Sequence, residues 1–369
     1  MSVKFENYER ENALFRERIR ANIDEVVCLK SEYEHEKYIE DFQSEFAKYN
    51  GSGYVIAVNS GTTALELALS ASRVKEKDEV ILPSYTYIST ALAVSNLGAA
   101  PVFVDIKNGT FTIDPEKIEE KLTKKTKAIM PVHIHGNPCE MDKIVKIARK
   151  NKLAIVEDCS HAHGAEYKNK KVGNFGIGCF SCHTTKIFSG IGNSGLITIN
   201  EKEKYETIKQ MIFLKNDPEL TLSKRAPCTM DAIQAAILKA KLPYLDKIIE
   251  KKRKTARAYM QSLSRDMRYQ KEEDGAKHVY RDFIIGIKNR DKMKKHLESF
   301  GVMTKIRYPV PLHLVKYYRD LKCKKNNLFE TMKVADEALS LPISYALSEE
   351  DMQYICKILK GCDDKFREE

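Results

Sequence analysis

Apolar positions along the chain fall into two textures. Over the first fifty residues they recur at helix spacing, with Tyr38, Phe42, Phe46 and Ala47 marking one face. From Tyr54 onward short unbroken apolar runs take over. Tyr54–Val58, Glu79–Leu82, Pro101–Val104, Ala128–Val132, Ala154–Val156, Cys179–Cys182 and Leu196–Ile199 each read as a strand. Unbroken runs, rather than alternation, are what burial on both faces of a parallel sheet produces. Helical stretches lie between them, such as the Ala- and Leu-rich Thr63–Ser72 and the helix opened by Asp114-Pro115. They supply the crossovers that parallel strands require.

After about Pro243 the pattern changes. A basic amphipathic helix over Tyr244–Ser264 leads into a strand at Asp282–Ile287, a helix at Asp291–Phe300, an extended Met303–Tyr308 and two closing helices. The expected architecture is α/β. Residues 1–245, including the N-terminal helical segment, form a large domain with a mostly parallel sheet flanked by helices. Residues 246–369 form a smaller C-terminal α+β domain.

Composition narrows the function classes. Apolar residues make up 43% and charged residues 31% of 369, an ordinary globular balance that argues against wholesale disorder. The net charge of +10 suits an anionic small substrate. Its lysines are interspersed with acids, as in Glu116-Lys117-Ile118-Glu119-Glu120-Lys121, which reads as solvated helix surface and not as a nucleic-acid module. No apolar run approaches the roughly 18 residues of a membrane span. Met1–Arg20 is charged throughout, with no secretory apolar region. Nine irregularly spaced cysteines then read as reduced thiols of a cytoplasmic protein.

Three stretches carry chemistry. In Asn59-Ser60-Gly61-Thr62-Thr63 a strand ends and a helix starts, so free amides, the positive end of the helix and hydroxyl donors can cup a phosphate. The stretch lacks the glycine-lysine pair of a Walker loop and the spacing of a dinucleotide fingerprint. Asp158 ends the apolar run Leu153–Val156, at the sheet edge where open α/β proteins place their sites. Lys186 follows another strand, and no other lysine, arginine or acid lies between Lys171 and Glu201. A lysine in such a desolvated setting has a lowered pKa and forms Schiff bases. Singly, these are a capped helix, a loop acid and a surface lysine. Jointly they are what pyridoxal 5′-phosphate (PLP) needs.

The chain resembles the DegT/DnrJ/EryC1/StrS aminotransferases, fold-type-I PLP enzymes, over about residues 30 to 360. The landmarks run in order: Asn59–Leu65; Leu82–Tyr87; Pro131–Gly136; Glu157–Ala165; Phe180-Ser181 leading to Lys186 and Gly190–Gly195; Tyr308–His313; and Leu339–Pro342. The resemblance implies that Lys186 carries the cofactor aldehyde and shuttles protons. It implies that Asp158 pairs with the pyridine nitrogen, His161 stands beside the ring hydroxyl and Tyr87 stacks on the ring. The amides of Thr62 and Thr63, with the Ser181 hydroxyl, hold the phosphate. It further implies a homodimer with the site at the interface. The reaction is transfer of an amino group from an amino acid, L-glutamate, to a keto sugar, in most members nucleotide-linked, for amino-sugar biosynthesis. A keto cyclitol or phosphosugar acceptor is an alternative. Arg307, Tyr308 and His313 are candidate substrate contacts. Two departures stand out: the family's cross-subunit Asn is absent from Arg225–Met230, and Arg307 replaces a His before Tyr-Pro.

Two rivals come from other classes. His133, His135, His161 and His163 follow two strands and could ligate a metal in a hydrolase. The Cys179/Cys182 pair is not expected to join them, because three residues apart in a strand the two side chains diverge. A non-catalytic regulatory protein that kept the fold is the other.

Overall fold

The computed structural model describes residues 2–213, 228–264, 267–320 and 328–362. Three helices open the chain: α1 (Tyr8–Ala13), α2 (Arg16–Val27) and α3 (Glu32–Asn50). In α3 the expected face is realised, with Tyr38, Phe42 and Phe46 buried. Ser31 caps its start by accepting from the Glu34 amide, and Gly51 ends it at φ 71°.

The strands follow: β1 (Tyr54–Val58), β2 (Glu79–Pro83), β3 (Ala100–Val104), β4 (Thr126–Ile129), β5 (Ala154–Asp158), the short pair β6 (Glu166–Tyr167) and β7 (Lys170–Lys171), then β8 (Ile177–Ser181) and β9 (Gly195–Ile199). Helices α4 (Gly61–Ala71) and α5 (Ile88–Ser95) fill the first two crossovers. Seven strands form one sheet in the order β1-β9-β8-β5-β4-β2-β3. Only β9 is antiparallel to its neighbours, β1 and β8. The other six therefore point the same way and bring their carboxyl ends to one edge. The sequence pattern ends the fourth strand at Val132, but β4 stops at Ile129. The next strand instead runs on to Asp158, whose amide donates to Pro131 O and whose carbonyl accepts from His133.

Each sheet face has its own core. Phe46, Phe180, Cys182 and Leu196 belong to the cluster packed on α2 and α3, while Val58, Leu65, Leu82, Cys179 and Ile197 belong to the one under α4. Cys179 and Cys182 thus go to opposite faces, as their odd spacing requires.

The C-terminal region contains β10 (Arg268–Tyr269), β11 (Ala276–Lys277), β12 (Phe283–Gly286) and β13 (Ala338–Leu341). An antiparallel sheet runs β10-β12-β13, and β11 pairs with β6. β13 was not expected. Its four residues lie between helices and form a strand because β12 offers a free edge, and Leu339 and Leu341 reach the small core. Two segments cross the expected division at 245/246. The helix Leu245–Met260 gives Leu245, Ile248 and Ile249 to the large core and Ala256 and Tyr259 to the small one. Val3 bridges Val302 and is buried in the small core. No helix among the described residues is long and apolar enough to cross a membrane.

Candidate active site

The turn after β1 is built by close approach. Ser60 caps α4, its Oγ accepting from the Thr63 amide at 3.1 Å, and Thr63 Oγ1 donates to Asn59 Oδ1 at 2.7 Å. That cap engages the Thr63 amide and leaves those of Gly61 and Thr62 without an intrahelical acceptor. A Cβ on Gly61 would stand 2.6 Å from Ser181 Cβ, and one on Gly195 would stand 2.5 Å from the Ser60 carbonyl carbon. Only glycine at both positions lets the end of β8 and the start of β9 press onto the α4 start. This brings the Ser181 hydroxyl to the helix's positive end.

Asp158 stands at the end of β5, buried. Its Oδ2 accepts from Thr90 Oγ1 at 2.8 Å and its Oδ1 from the Ser160 amide at 3.1 Å. Thr90 lies in the first turn of α5, and its Oγ1 is 3.0 Å from Thr86 Oγ1. Sequence reasoning missed Thr90; the adjacent hydroxyls Ser89 and Thr90 in the first turn of an Ala-rich helix were the available signal. Tyr87, the residue expected to stack on the cofactor, is the N-cap of α5 and is 56% exposed.

Lys186 sits on the loop joining β8 to β9, its amide donating to His183 O at 2.8 Å. Dense protein around the half-buried amine, then the Arg281 guanidinium, bring its pKa down to about 7, with Asp158 and Asp282 pulling the other way. Near neutral pH a large fraction is the free amine, which is the nucleophilic form.

His161 lies within the field of Lys186. Its Nδ1 accepts from the His135 amide at 3.1 Å, which leaves the proton on Nε2, 3.3 Å from Tyr308 Oη. Burial, and then the charges of Lys186 and Arg281, hold its pKa well below the usual range, so it is neutral. Behind it, Asp282 Oδ2 accepts from His135 Nδ1 at 2.9 Å, and Asp282 Oδ1 accepts from Arg307 Nη2 at 3.2 Å and from Arg281. Burial opposes the Asp282 charge, but the two guanidiniums and His135 outweigh it and keep the carboxyl well below its ordinary pKa. Three bulky residues around this cluster have left-handed backbone: His135 (φ 58°), Tyr280 (φ 48°) and Tyr308 (φ 51°). Such strain costs about 1–3 kcal/mol per residue and concentrates at functional sites.

The expected residues thus divide. Lys186, Asp158, His161 and Tyr308 are linked by charge or hydrogen bond, with the Ser60–Thr63 turn and Ser181 at the same sheet edge. His313 bonds elsewhere, its Nδ1 2.7 Å from Ser84 Oγ. Arg307 is not a surface arginine: its Nη2 donates to Asp282 and Glu6, and its Nε–H is left over. Asp282 was read only as the first residue of a strand, which in the structure starts at Phe283, and Arg281 was not singled out. Adjacent opposite charges entering the apolar run Phe283-Ile284-Ile285 were the signal to notice. Residues 225–227, where the family's Asn is expected, lie outside the described residues.

The four histidines of the metal reading do not converge. His133 has both nitrogens engaged, by the Cys139 amide and by Glu157. His163 packs against Phe180 and Phe188. His135, His161 and Asp282 do bring ligand atoms within 4.8 Å of one another, a spacing that could hold a metal ion, but Asp282 accepts from His135 and two arginines and His161 Nδ1 accepts from the His135 amide. Glu157, beside His133, already accepts from the amides of Gly173, Phe175 and Gly176.

The donor set fits PLP. A phosphate-sized anion matches a helix start with free amides, against which two glycines let Ser181 approach. A buried carboxylate with fixed donors matches a protonated ring nitrogen, and a lysine with a depressed pKa matches an aldehyde.

A model of the DegT/DnrJ/EryC1/StrS aminotransferase family matches residues 15–360. The pleiotropic regulatory protein of Geobacillus stearothermophilus is 36% identical over 328 residues, 86% of this chain and 87% of that protein. The dTDP-3-amino-3,6-dideoxy-alpha-D-galactopyranose transaminase of Aneurinibacillus thermoaerophilus is 37% identical over 320 residues, 86% of this chain and 88% of that protein. The crystal structure of NtdA from Bacillus subtilis with bound cofactor PMP superimposes with a TM-score of 0.86 at 29% identity, covering 97% of this chain and 84% of that one. With that match spanning residues 15–360, this chain belongs to the DegT/DnrJ/EryC1/StrS aminotransferase family.

Proposed function

We propose that this chain is a PLP-dependent aminotransferase that moves the amino group of an amino acid, L-glutamate, onto a nucleotide-linked keto sugar. One observation carries the reading: the only lysine between residues 171 and 202 stands, with its pKa near 7, in the field of Asp158. The transaminase name of the Aneurinibacillus relative supports the acceptor class, and the PMP-bound neighbour supports the cofactor.

The α4 start would hold the phosphate through the Gly61 and Thr62 amides with Ser181, the amide of Thr63 being engaged by the Ser60 cap. Asp158, steadied by Thr90 and the Ser160 amide, would keep a proton on the ring nitrogen. Tyr87 would cover the ring, and His161, neutral with its proton on Nε2, would stand by the ring hydroxyl. When bound, PLP supplies an aldehyde that amines exchange on and a ring that accepts an electron pair. Lys186 Nζ, displaced by the donor amine, would as a free base take a proton from the donor α-carbon and deliver it to the cofactor's aldehyde carbon, after which water would release the donor as its oxo acid. The Tyr308 hydroxyl and the Asp282 cluster behind it fix His161 and restrict water on that side of the lysine. The active species is a homodimer, which light scattering of the active enzyme tests.

Borohydride reduction followed by peptide mapping should label Lys186, and an unlabelled Lys186 refutes the reading. Keto-sugar nucleotides, keto cyclitols and phosphosugars are then offered to the amine form. Return of the aldehyde spectrum with a nucleotide sugar is expected; return only with a cyclitol or phosphosugar moves the acceptor class. The regulatory reading, favoured by the name of the Geobacillus relative, requires that no amino donor convert the cofactor at all.

A further inference from the structure

On the far side of the lysine lies a cavity of about 40 Å³, lined by Tyr8, Thr185, Lys186, Arg281, Asp282 and Arg307. Arg281 is 8% exposed. It donates to Asp282 and, through Nη2, to the Thr185 carbonyl at 2.9 Å, the peptide next to Lys186. Its Nε–H is buried with no partner, and so is that of Arg307. The carboxylates nearby are divided among several cations. Asp282 serves Arg281, Arg307 and His135, and Glu6 serves Lys305 at 2.6 Å and Arg307 at 3.4 Å. Glu11 and Lys252 also line the cavity. Two guanidiniums thus face a small space with N–H groups left over.

We propose that Arg281, seconded by Arg307, is the carboxylate-reading residue of this site and holds the acid group of the amino donor beside Lys186. The proposal rests on the aminotransferase reading above. Three features favour a carboxylate. A guanidinium fork matches its two oxygens. The space suits one small group and not a diphosphate. In an α-amino acid one carbon separates acid from amine, so a residue that reads the acid must stand next to the lysine the amine replaces. The Arg281–Thr185 bond puts it there.

The test uses the cofactor-loaded enzyme and two probes that undergo no transfer: glutarate for the carboxylate and UDP for the phosphate of an acceptor. Calorimetry should show R281Q weakening glutarate about 10- to 100-fold, as expected for loss of a charged hydrogen-bonding partner, with UDP affinity unchanged within about twofold. R307Q should cost less. R281K keeps the charge without the fork and should fall between, raising the donor KM more than it lowers kcat. It also serves if R281Q melts without cooperativity. Unchanged glutarate affinity in R281Q and R281K overturns the proposal, as does a wild type that does not bind glutarate. An equal or larger loss of UDP affinity overturns it in favour of a phosphate site. If the wild type transfers no amine yet R281Q loses glutarate, the aminotransferase reading fails and the carboxylate site stands.

Discussion

The sheet edge and the Asp282 cluster meet at Lys186, yet they are made in different ways. At the edge, Ser60, Asp158 and Ser181 lie within two residues of the end of β1, β5 or β8, so each is placed by its own strand. The cluster gathers Glu6, His135, Asp282 and Arg307 from stretches far apart in the chain, each charge steadied by a partner from another stretch. The first is local geometry repeated at neighbouring strands. The second exists only once the N-terminal segment and the C-terminal region have closed on the large sheet. Substitutions at the edge should therefore cost chemistry, and those in the cluster should cost stability first.

Lys186→Ala gives the largest effect. Turnover falls by at least about 10⁴-fold, the upper range for loss of a positioned proton-transfer group that is also the nucleophile. The melting temperature changes little, and steady-state rates with calorimetric melting check both. A cluster variant reverses the pattern. Asp282→Ala leaves two buried guanidiniums facing each other and should cost about 3–5 kcal/mol of stability, as for one partner removed from a buried pair. Denaturant unfolding reads it; a loss under about 1 kcal/mol would erase the contrast between the regions. Asp158→Ala should lower kcat about 10²–10³-fold and speed cofactor release under dialysis, the scale for losing one preorganised charge. Gly61→Ala forces the α4 start away from Ser181 and should cost about 1–3 kcal/mol, with weaker cofactor retention read by absorbance during dilution.

The smallest effect is in pH. With a Lys186 pKa of about 7 in cofactor-free protein the free amine grows as pH rises, so capture of added PLP by Lys186, read by absorbance, should quicken about tenfold between pH 6 and 8 and then level. The same shift has a stability consequence in cofactor-free protein. The unfolded chain holds this proton up to a lysine's ordinary pKa and the folded chain does not. Stability should therefore rise with pH from about 7 to 10, relative to Lys186→Met. Melting curves of the two proteins across that window check it, and parallel curves would remove the burial argument for Lys186.

Most of the large sheet was legible because buried parallel strands leave unbroken apolar runs. β1 matches its run residue for residue, and β2, β3 and β9 match within a residue. The reversed β9 was not legible, because an apolar run carries no direction. β13 was missed because four residues between two helices give no period to read. Thr90 was missed because a threonine in a helix is unremarked until Asp158 stands beside it.

The sequence by itself determined the strand-to-turn positions of Ser60, Asp158 and Lys186, since each depends on where an apolar run ends. It also determined the opposite facing of Cys179 and Cys182, since strand alternation allows nothing else. Only the tertiary structure decided that Asp282 is a buried anion shared by two arginines and a histidine, that Arg307 is already engaged, and that Lys186 is a weak base. Those are properties of distance and desolvation, and groups far apart in the chain acquire them only when the fold excludes water from between them.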